Sequence, residues 1–431
     1  MAIELSLTAP GFENAFKVLL DGKRETAADV GDAVAAIIAQ VRAEGDSALI
    51  ALTRRFDRHD ADRLAIGKDE IDAALAACEP QALSSLRAAA ERIADFHARQ
   101  KPQDLSYTDD RGVRLGYRWT AIGAAGLYVP GGTASYPSSV LMNAIPAKVA
   151  GVPRLVMAVP TPDGVLNPLV LAAARIAGVD EIYRVGGAQA VAALAYGTET
   201  IRPVDKIVGP GNAYVAAAKR QVFGAVGIDM IAGPSEILVV ADGDNDPNWI
   251  AADLLSQAEH DTAAQSILIT DDPAFARAVA AAVEAHLATL PRAAIARESW
   301  ESHGALILVP ELAQAVELVD RIAPEHLELA VADPDALAAR VRNAGAIFLG
   351  RYTPEAVGDY VGGPNHVLPT ARSARFSSGL GVFDFMKRTS LLGCTAESLA
   401  DIGPWAVTLA ESEGLGAHAR SVALRLNQQR R

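Results

Sequence analysis

Val208-Gly209-Pro210-Gly211-Asn212 follows a short apolar run and leads into an Ala-rich segment with a helical pattern. Two further runs end in the same way, at Tyr128-Val-Pro-Gly131-Gly132 and at Val185-Gly186-Gly187-Ala-Gln189. Short β-like runs that alternate with helices indicate βαβ units and a parallel sheet. Glycines at the carboxyl ends of such strands let a phosphate approach the backbone N–H groups of a helix N-terminus. The three turns together indicate a nucleotide crevice, although one alone would be only a tight connection and no G-x-G-x-x-G fingerprint is present.

The predicted strands form two groups on either side of Gly233-Pro234: 125–129, 154–159, 181–185 and 206–208, then 236–241, 266–270, 305–309 and 346–349. Residues 1–100 show helical patterns with little strand, and the tail from about Ser390 shows helices only, broken at Gly403-Pro404 and near Gly414. The predicted fold class is α/β, with two incomplete Rossmann-like parallel-sheet domains, a helical N-terminal segment and a helical C-terminal arm. We expect residues 1–122 and 236–389 to carry most metal and catalytic residues, 123–235 to bind nucleotide, and 390–431 to form a dimerisation arm.

The composition limits the possible class of protein. The chain has 431 residues, half of them hydrophobic, and a net charge of −13, which disfavours nucleic acid and anionic membranes as partners. Its two cysteines, Cys78 and Cys394, exclude a disulfide framework and a thiolate zinc cluster, and they fit a reducing compartment. With no signal pattern at the N-terminus and no apolar run near the ~20 residues of a membrane span, we expect a cytoplasmic protein.

A helix with a polar end is predicted after Asp246-Pro247, where Asp supplies an N-cap and Pro the first helical position. Gln257 and His260 lie three residues apart and share one face of its last turn. An imidazole and an amide oxygen are acceptable ligands for Zn²⁺ or Mn²⁺. The alternative is an ordinary polar helix end, where a cation is favoured without being a ligand site.

Three more polar clusters follow. Pro324-Glu325-His326 predicts the start of a turn or helix whose two polar side chains diverge and serve different tasks. A Gly-rich loop carries Asp359 and His366, and the tail places Glu413 and His418 around a helix break. Each cluster alone could be ordinary surface polarity, but four of them after a nucleotide-like domain favour an active site.

The chain resembles the histidinol dehydrogenases from about residue 123 to the tail. The Ser-Gln-Ala-Glu-His and Pro-Glu-His-Leu runs, in this order, are the most specific features. The segments that carry the resemblance are Tyr128-Val-Pro-Gly-Gly-Thr133, Pro137-Ser-Ser-Val-Leu-Met-Asn143, Val208-Gly-Pro-Gly-Asn212, Gly233-Pro-Ser235-Glu236, Leu254-Leu-Ser-Gln-Ala-Glu-His260, Pro324-Glu-His-Leu-Glu328, Gly358-Asp-Tyr360, Asn365-His-Val-Leu-Pro369 and Glu413-Gly-Leu415 with His418.

The resemblance implies an NAD-dependent homodimer with one Zn²⁺ per subunit that oxidises L-histidinol to L-histidine through histidinaldehyde. The zinc ligands that it implies are Gln257, His260, Asp359 and His418, and the catalytic acid–base pair is Glu325 and His326. The implied substrate contacts are Ser235, His366 and Glu413, supplemented by His326 and the zinc ligands. The implied cofactor contacts are Tyr128, Gln189 and Asn212. It also implies that the tail of one subunit completes the other's site, so that Glu413 and His418 act in trans.

The residue types agree with this chemistry. His326 can accept the alcohol proton in the first oxidation, and Glu325 can activate water to hydrate the aldehyde before the second. Asp359 and Glu413 would favour a cationic amino alcohol. Three alternatives stay open: a relative with the same zinc and NAD machinery that oxidises another polar alcohol or diol, a non-catalytic metal-binding or assembly protein, and a phosphate-cradling transferase. The missing G-x-x-x-x-G-K pattern argues against the last of these.

Overall fold

The computed structural model describes residues 2–22, 30–131, 136–231 and 233–427. Its strands are β1 (Ile3–Ser6), β2 (Leu105–Thr108), β3 (Arg114–Ala121), β4 (Ala125–Tyr128), β5 (Leu155–Ala158), β6 (Glu181–Tyr183), β7 (Lys206–Val208), β8 (Gly227–Ile228), β9 (Glu236–Ala241), β10 (Gln265–Thr270), β11 (Ala305–Leu308), β12 (His326–Ala330), β13 (Ala346–Leu349) and β14 (Met386–Gly393). All eight predicted strands are present, with ends that differ by at most two residues.

The helices surround these strands. They are α1 (Phe12–Asp21), α2 (Gly31–Glu44), α3 (Asp46–Asp57), α4 (Lys68–Ala77), α5 (Pro80–Ala98), α6 (Pro137–Ala150), α7 (Pro168–Ala177), α8 (Gly187–Tyr196), α9 (Ala213–Val222), α10 (Pro247–Ala258), α11 (Pro273–Leu287), α12 (Ala293–His303), α13 (Ala315–Ile322), α14 (Pro334–Ala338), α15 (Glu355–Tyr360), α16 (Ala396–Ser412) and α17 (Gly416–Asn427).

Two parallel sheets form the core and confirm the predicted α/β class. The five-stranded sheet has the order β6-β5-β4-β7-β8, and the six-stranded sheet has the order β1-β11-β10-β9-β12-β13. All strand pairs within both sheets are parallel. In each sheet, successive strands are added first on one side of a central strand and then on its other side. This switch lies between β4 and β7 in the five-stranded sheet and between β9 and β12 in the six-stranded sheet. Such switch points open a crevice at the carboxyl ends of the strands, where ligands of α/β folds commonly bind.

The switch point of the six-stranded sheet is filled by the protein itself. Asn245 Nδ2 donates to the backbone oxygens of Asp242 at 3.0 Å and Ala330 at 2.6 Å. The Arg351 guanidinium pairs with the Asp242 carboxylate at 3.1 Å. These contacts lie at the carboxyl ends of β9 and β12, whereas the carboxyl end of β7 in the five-stranded sheet lines an open cleft.

The segment from Glu325 to Glu328 differs from its prediction as a turn or helix, because His326 begins the strand β12. All five residues of β12 are buried, and the strand pairs with both β9 and β13. Leu327 and Leu329 alternate toward a cluster of buried apolar side chains. Pairing on both sides outweighed the local preference, and five residues are too few to reveal a periodicity of two.

The tail also differs from its prediction. β14 extends to Gly393 and pairs antiparallel with β3, and β3 pairs with β2 in a third, small sheet. Helix α16 continues through Gly403-Pro404 rather than breaking there. A side chain at Gly403 would approach Leu426 of α17 to 3.1 Å, so the close packing of these two helices compensates for the bond that Pro404 removes. The predicted break near Gly414 is present, with a φ of 73°.

The first hundred residues divide between the two sheets. β1 adds a strand to the six-stranded sheet, which the helical prediction missed because this short edge strand is half-exposed. In contrast, Val34 and Ile38 of α2 and Ile93 of α5 are buried with residues of the five-stranded sheet. We therefore propose that residues 30–98 belong with the five-stranded sheet rather than with 236–389. In the sequence, the helical pattern that leads into α2 begins at Ala27, which lies outside the described residues.

No helix within the described ranges is both long and apolar enough to span a bilayer.

Candidate functional site

A cleft of about 1150 Å³ lies between the two sheets. One wall is the carboxyl edge of the five-stranded sheet, with Gly209, Gly211 and Asn212 after β7. The other wall is the amino edge of the six-stranded sheet, with Ser235 before β9 and His326 at the start of β12. The volume exceeds that of a drug-sized ligand pocket, so the cleft can hold a dinucleotide and a second small molecule.

Gly209 determines the shape of the nucleotide-like wall. Its φ is +114°, and a Cβ at this position would lie 2.1 Å from the Tyr128 backbone oxygen, so only glycine fits between β4 and β7. Asn212 then caps α9, since its Oδ1 accepts hydrogen bonds from the N–H groups of Tyr214 and Val215. The turn therefore presents the N-terminus of α9 to the cleft, where a phosphate is favoured.

The three residues expected to contact the cofactor occupy different positions. Asn212 lines the cleft. Tyr128 and Gln189 are 4% and 2% exposed, and in the described part of the chain they lie behind its surface. Tyr128 Oη accepts a hydrogen bond from the N–H of Gly187, two residues before Gln189, at 3.1 Å, so these residues tie two of the glycine-rich turns together. Residues 132–135, which include the end of the glycine-rich turn after Tyr128, lie outside the described residues.

The predicted cap and polar end of α10 are both present. Asp246 accepts from the N–H of Asn248 at 2.8 Å. The helix ends at Ala258 with Glu259 as its cap, so His260 lies two residues beyond the helix and not in its last turn as predicted. Gln257 is 1% exposed and lines the cleft, yet neither atom of its side-chain amide has a hydrogen-bond partner among the described residues. A buried amide without a partner is costly, and the C-terminal end of a helix favours a cation. Gln257 is thus suited to bind a metal ion.

His326 is held as a proton acceptor. Its Nδ1 lies 3.0 Å from the backbone oxygen of Glu236, which can only accept, so Nδ1 carries the proton and Nε2 carries a lone pair. Within the described chain, Nε2 has no hydrogen-bond partner, and it lies 3.7 Å from Glu355 Oε1 and 3.8 Å from Asp359 Oδ1. Burial lowers the pKa of His326 below its ordinary value, so its ring is neutral at pH 7.

Glu325, the residue before His326, is a strong carboxylate base. Its Oε2 accepts from the backbone N–H of Glu236 at 2.9 Å. Burial, followed by repulsion from the Glu236 carboxylate, raises the pKa of Glu325 well above the usual value. A carboxylate accepts a proton more readily as its pKa rises toward the working pH.

His366 has a fixed orientation at the same cleft. Its Nδ1 donates to the backbone oxygen of Asp359 at 3.0 Å, and Ser139 Oγ lies 3.2 Å from Nε2. Burial lowers the pKa of His366 to about 4, so the ring is neutral. Asp359 and His366, seven residues apart in the sequence, are therefore in direct contact.

An acidic cluster lies beside His326. Burial raises the pKa of Glu355 to about 7 and that of Asp359 to about 6. In the described ranges, His326, Glu355 and Asp359 are the one group of three such residues whose ligand atoms all lie within 4.8 Å of one another. Gln257 and His260 line the same cleft. This donor set of imidazole and oxygen atoms fits Zn²⁺.

Glu413 and His418 lie away from these residues. Both are exposed on the helical tail, and neither is among the described residues that line the cleft. The cleft is lined by the other residues predicted for metal binding, catalysis and substrate binding, which are Ser235, Gln257, His260, Glu325, His326, Asp359 and His366.

Sequence reasoning missed Glu236 and Glu355. Glu355 and Asp359 are four residues apart, the spacing that puts two side chains on one helical face, but α15 has only six residues and no visible pattern. Glu236 begins a strand of six buried residues, and a charge in such a run could have been noticed as a residue with a special task.

Comparisons with known proteins point to one family. A family model described as histidinol dehydrogenase matches residues 21–426. The chain is 70% identical to histidinol dehydrogenase of Rhodospirillum rubrum over 431 residues and 66% identical to that of Rhizobium meliloti over 429, with 99% of each chain covered. The crystal structure of histidinol dehydrogenase from Elizabethkingia anophelis superposes with a TM-score of 0.95 at 36% identity, covering 99% of both chains.

Proposed function

The chain belongs to the histidinol dehydrogenase family, and on this premise we propose that it oxidises L-histidinol to L-histidine, through histidinaldehyde, with two NAD reduced. This is the final step of histidine biosynthesis. The observation that carries the proposal is the free lone pair of a neutral His326 beside Glu325, in a cleft whose other wall suits a dinucleotide. The high identity to named histidinol dehydrogenases disfavours the alternative of another alcohol as substrate.

In the first oxidation, His326 Nε2 takes the hydroxyl proton while the carbon transfers its hydride to NAD. Glu236 holds the opposite ring nitrogen as a donor, so the lone pair of Nε2 faces the cleft. In the second oxidation, Glu325 takes a proton from water as the water adds to the aldehyde, and the protonated His326 returns its proton to the aldehyde oxygen, so that a diol forms and Nε2 is free again. His326 then accepts a proton from the resulting diol as the second hydride leaves.

Gln257, His260 and Asp359 would hold a Zn²⁺ ion, with His418 as the fourth ligand. When bound, the ion would orient the substrate by binding the amine and the imidazole of L-histidinol. His366, Ser235 and Glu413 would complete the contacts to the substrate. Because Glu413 and His418 lie outside the cleft of their own chain, we propose that they reach the site of a second subunit in a homodimer. Cytoplasmic location stays a prediction.

The test is the number of NADH molecules formed for each L-histidinol consumed, measured before and after chelation of metal. Two NADH, lost on chelation and restored by Zn²⁺, would support the proposal. One NADH would mean that the aldehyde leaves and that the second step is absent. No NADH from folded protein would contradict the proposal.

A further inference from the structure

A buried ion pair lies in the nucleotide-like wall of the cleft. Lys219 lies on α9, and Asp229 follows β8. Their side chains are 3% and 1% exposed and form an ion pair. The predicted reaction uses neither residue, and both line the cleft.

The pair holds both polar groups of one residue. Lys219 Nζ donates to the backbone oxygen of Gly209 at 3.0 Å. Asp229 Oδ2 accepts the backbone N–H of Gly209 at 2.8 Å. The backbone N–H of Asp229 in turn donates to Ile207 O at 3.2 Å, which anchors the carboxylate beside β7. The orientation of the Gly209 peptide groups is therefore set by side chains as well as by the strand.

Gly209 is the point from which the turn enters the cleft. It packs against the backbone of Tyr128, and the residues that follow, Gly211 and Asn212, line the cleft at the start of α9. A rotation of the Gly209 peptide would move the N–H groups at that helix end relative to a bound phosphate.

Stability alone is a poor explanation for this pair. The desolvation of two buried charges often cancels their attraction, so apolar residues of similar size would serve stability as well. An ion pair with directional hydrogen bonds does what apolar residues cannot, because it fixes the directions of the two peptide groups that meet at Gly209.

We propose that Lys219 and Asp229 are positioning residues for the dinucleotide, which hold the Gly209 turn in the conformation that binds NAD. The inference rests on the proposed function only in naming the ligand. Loss of the pair weakens binding of NAD and NADH and leaves turnover at saturating NAD and the KM for L-histidinol unchanged.

The variants differ in what they leave behind. Lys219→Met leaves the Asp229 carboxylate unpaired next to the dinucleotide phosphates, and we expect the Kd for NADH to rise at least about tenfold. Asp229→Asn keeps an oxygen that accepts from Gly209, and its effect is smaller. The double variant Lys219→Met with Asp229→Asn carries no unpaired charge and binds NADH more tightly than Lys219→Met alone.

Lys206→Met is the matched control. Lys206 begins β7, three residues before Gly209. Its Nζ forms an ion pair with Asp384 Oδ1, at a distance of 3.1 Å, and this pair lies away from the cleft. This variant removes a lysine ion pair from the strand that leads into Gly209, and it should lower the Tm while keeping the NADH Kd within about twofold of the starting value.

The measurement is NADH fluorescence titration of the full-length protein and its variants, with Tm recorded for each. If the Kd of Lys219→Met and that of Asp229→Asn both stay within about twofold of the starting value while the Tm falls, the pair is only structural and the inference is wrong. Because binding is measured without turnover, an enzyme that binds NADH but leaves L-histidinol unchanged contradicts the proposed function and not this inference. If Lys219→Met does not fold, the other two variants decide.

Discussion

Glu236 and Glu325 are joined by two reciprocal hydrogen bonds. The backbone N–H of Glu236 donates to Glu325 Oε2 at 2.9 Å, and the backbone N–H of Glu325 donates to Glu236 Oε2 at 3.3 Å. Glu236 Oε1 also accepts from the N–H of Ala371, and its backbone oxygen accepts from His326. One residue thus positions both members of the proposed catalytic pair.

We therefore expect Glu236→Gln to lower kcat. The glutamine amide keeps one acceptor oxygen and replaces the other with an NH₂ group. One of the N–H groups of Glu325 and Ala371 therefore faces a donor and loses its hydrogen bond, which costs about 1–3 kcal/mol of stability. The resulting shift of Glu325 and His326 should reduce kcat about tenfold or more while the NADH Kd is unchanged. Steady-state kinetics and NADH titration measure the two quantities, and a kcat within about twofold would show that Glu236 does not position the pair.

Glu325 and His326 should contribute differently to the two oxidations. Glu325→Gln cannot activate water, so it should slow oxidation of histidinaldehyde more than oxidation of L-histidinol to the aldehyde. His326→Ala lacks the base for the alcohol proton and should slow the first step. The rates are measured with each compound as the starting substrate, in protein shown to be folded and metal-loaded. Equal loss of both steps in both variants would contradict this division of roles.

Gln257 should be needed for metal binding. Gln257→Ala removes an amide that has no other hydrogen-bond partner among the described residues, so the Zn²⁺ affinity should fall at least about tenfold. Competition with a chromogenic chelator measures it independently of activity. Gln265→Ala is the control, because Gln265 is also buried with an unpartnered Oε1 in the described structure but does not line the cleft. Equal Zn²⁺ affinity in both variants would remove Gln257 from the ligand set.

Completion of the site by a second subunit can be tested by mixing inactive variants. His326→Ala and His418→Ala change the body and the tail of the chain. If the tail acts in trans, half of the dimers formed on reassociation are mixed and each has one intact site, which returns about a quarter of full activity. A mixture of Glu413→Ala with His418→Ala changes two tail residues and should return none. Absence of recovery in the first mixture, with subunit exchange verified, would show that each chain completes its own site.

Stability should depend on pH through Glu181. Arg154 and Arg202 bind its carboxylate at 2.8 and 2.7 Å and lower its pKa from 4.5 to about 2. A lowered pKa in the folded state stabilises the protein above pH 4.5, and this contribution is lost as the pH falls toward 2. Glu181→Gln should cost about 1–2 kcal/mol of unfolding free energy at pH 7 after allowance for solvent screening, and the difference should shrink below pH 4.5.

Urea denaturation at several pH values measures this difference. Glu284→Gln is the control, because Glu284 forms an exposed ion pair with Arg297, from which little stability is expected. A difference for Glu181→Gln that is constant from pH 7 to pH 3 would contradict the assignment.

The sequence predicts the parts of the fold that have strong local signals. The eight predicted strands of the two parallel sheets are runs of apolar residues followed by glycine, or by a helix cap such as Asp246, and these were located closely. The other six strands, β1, β2, β3, β8, β12 and β14, were missed. Of these, β1, β12 and β14 depend on partners distant in the chain, and β1 and β12 are also too short to show a periodicity of two. The helix α16 was predicted to break at Pro404 because its packing against α17 is not visible locally.

The residues of the candidate site also divide into those that have a sequence motif and those that have none. The motif residues Gln257, His260, Glu325, His326, Asp359 and His366 were identified, and they line one cleft. The sequence did not predict the residues that position other residues, such as Glu236, Glu355, Lys219 and Asp229. Their contacts join elements from 10 to 135 residues apart, and no spacing in the sequence announces them.

The filled switch point of the six-stranded sheet lies at the edge of that sheet opposite the cleft. Asn245, Asp242 and Arg351 close it, while the reaction uses the opposite ends of the same strands. Chain length can therefore change at the turns beyond β10 and β11 without altering the cleft. These turns, at Asp271 and at Pro310, are the places to attach a fluorophore, an affinity tag or a fused domain to a working enzyme.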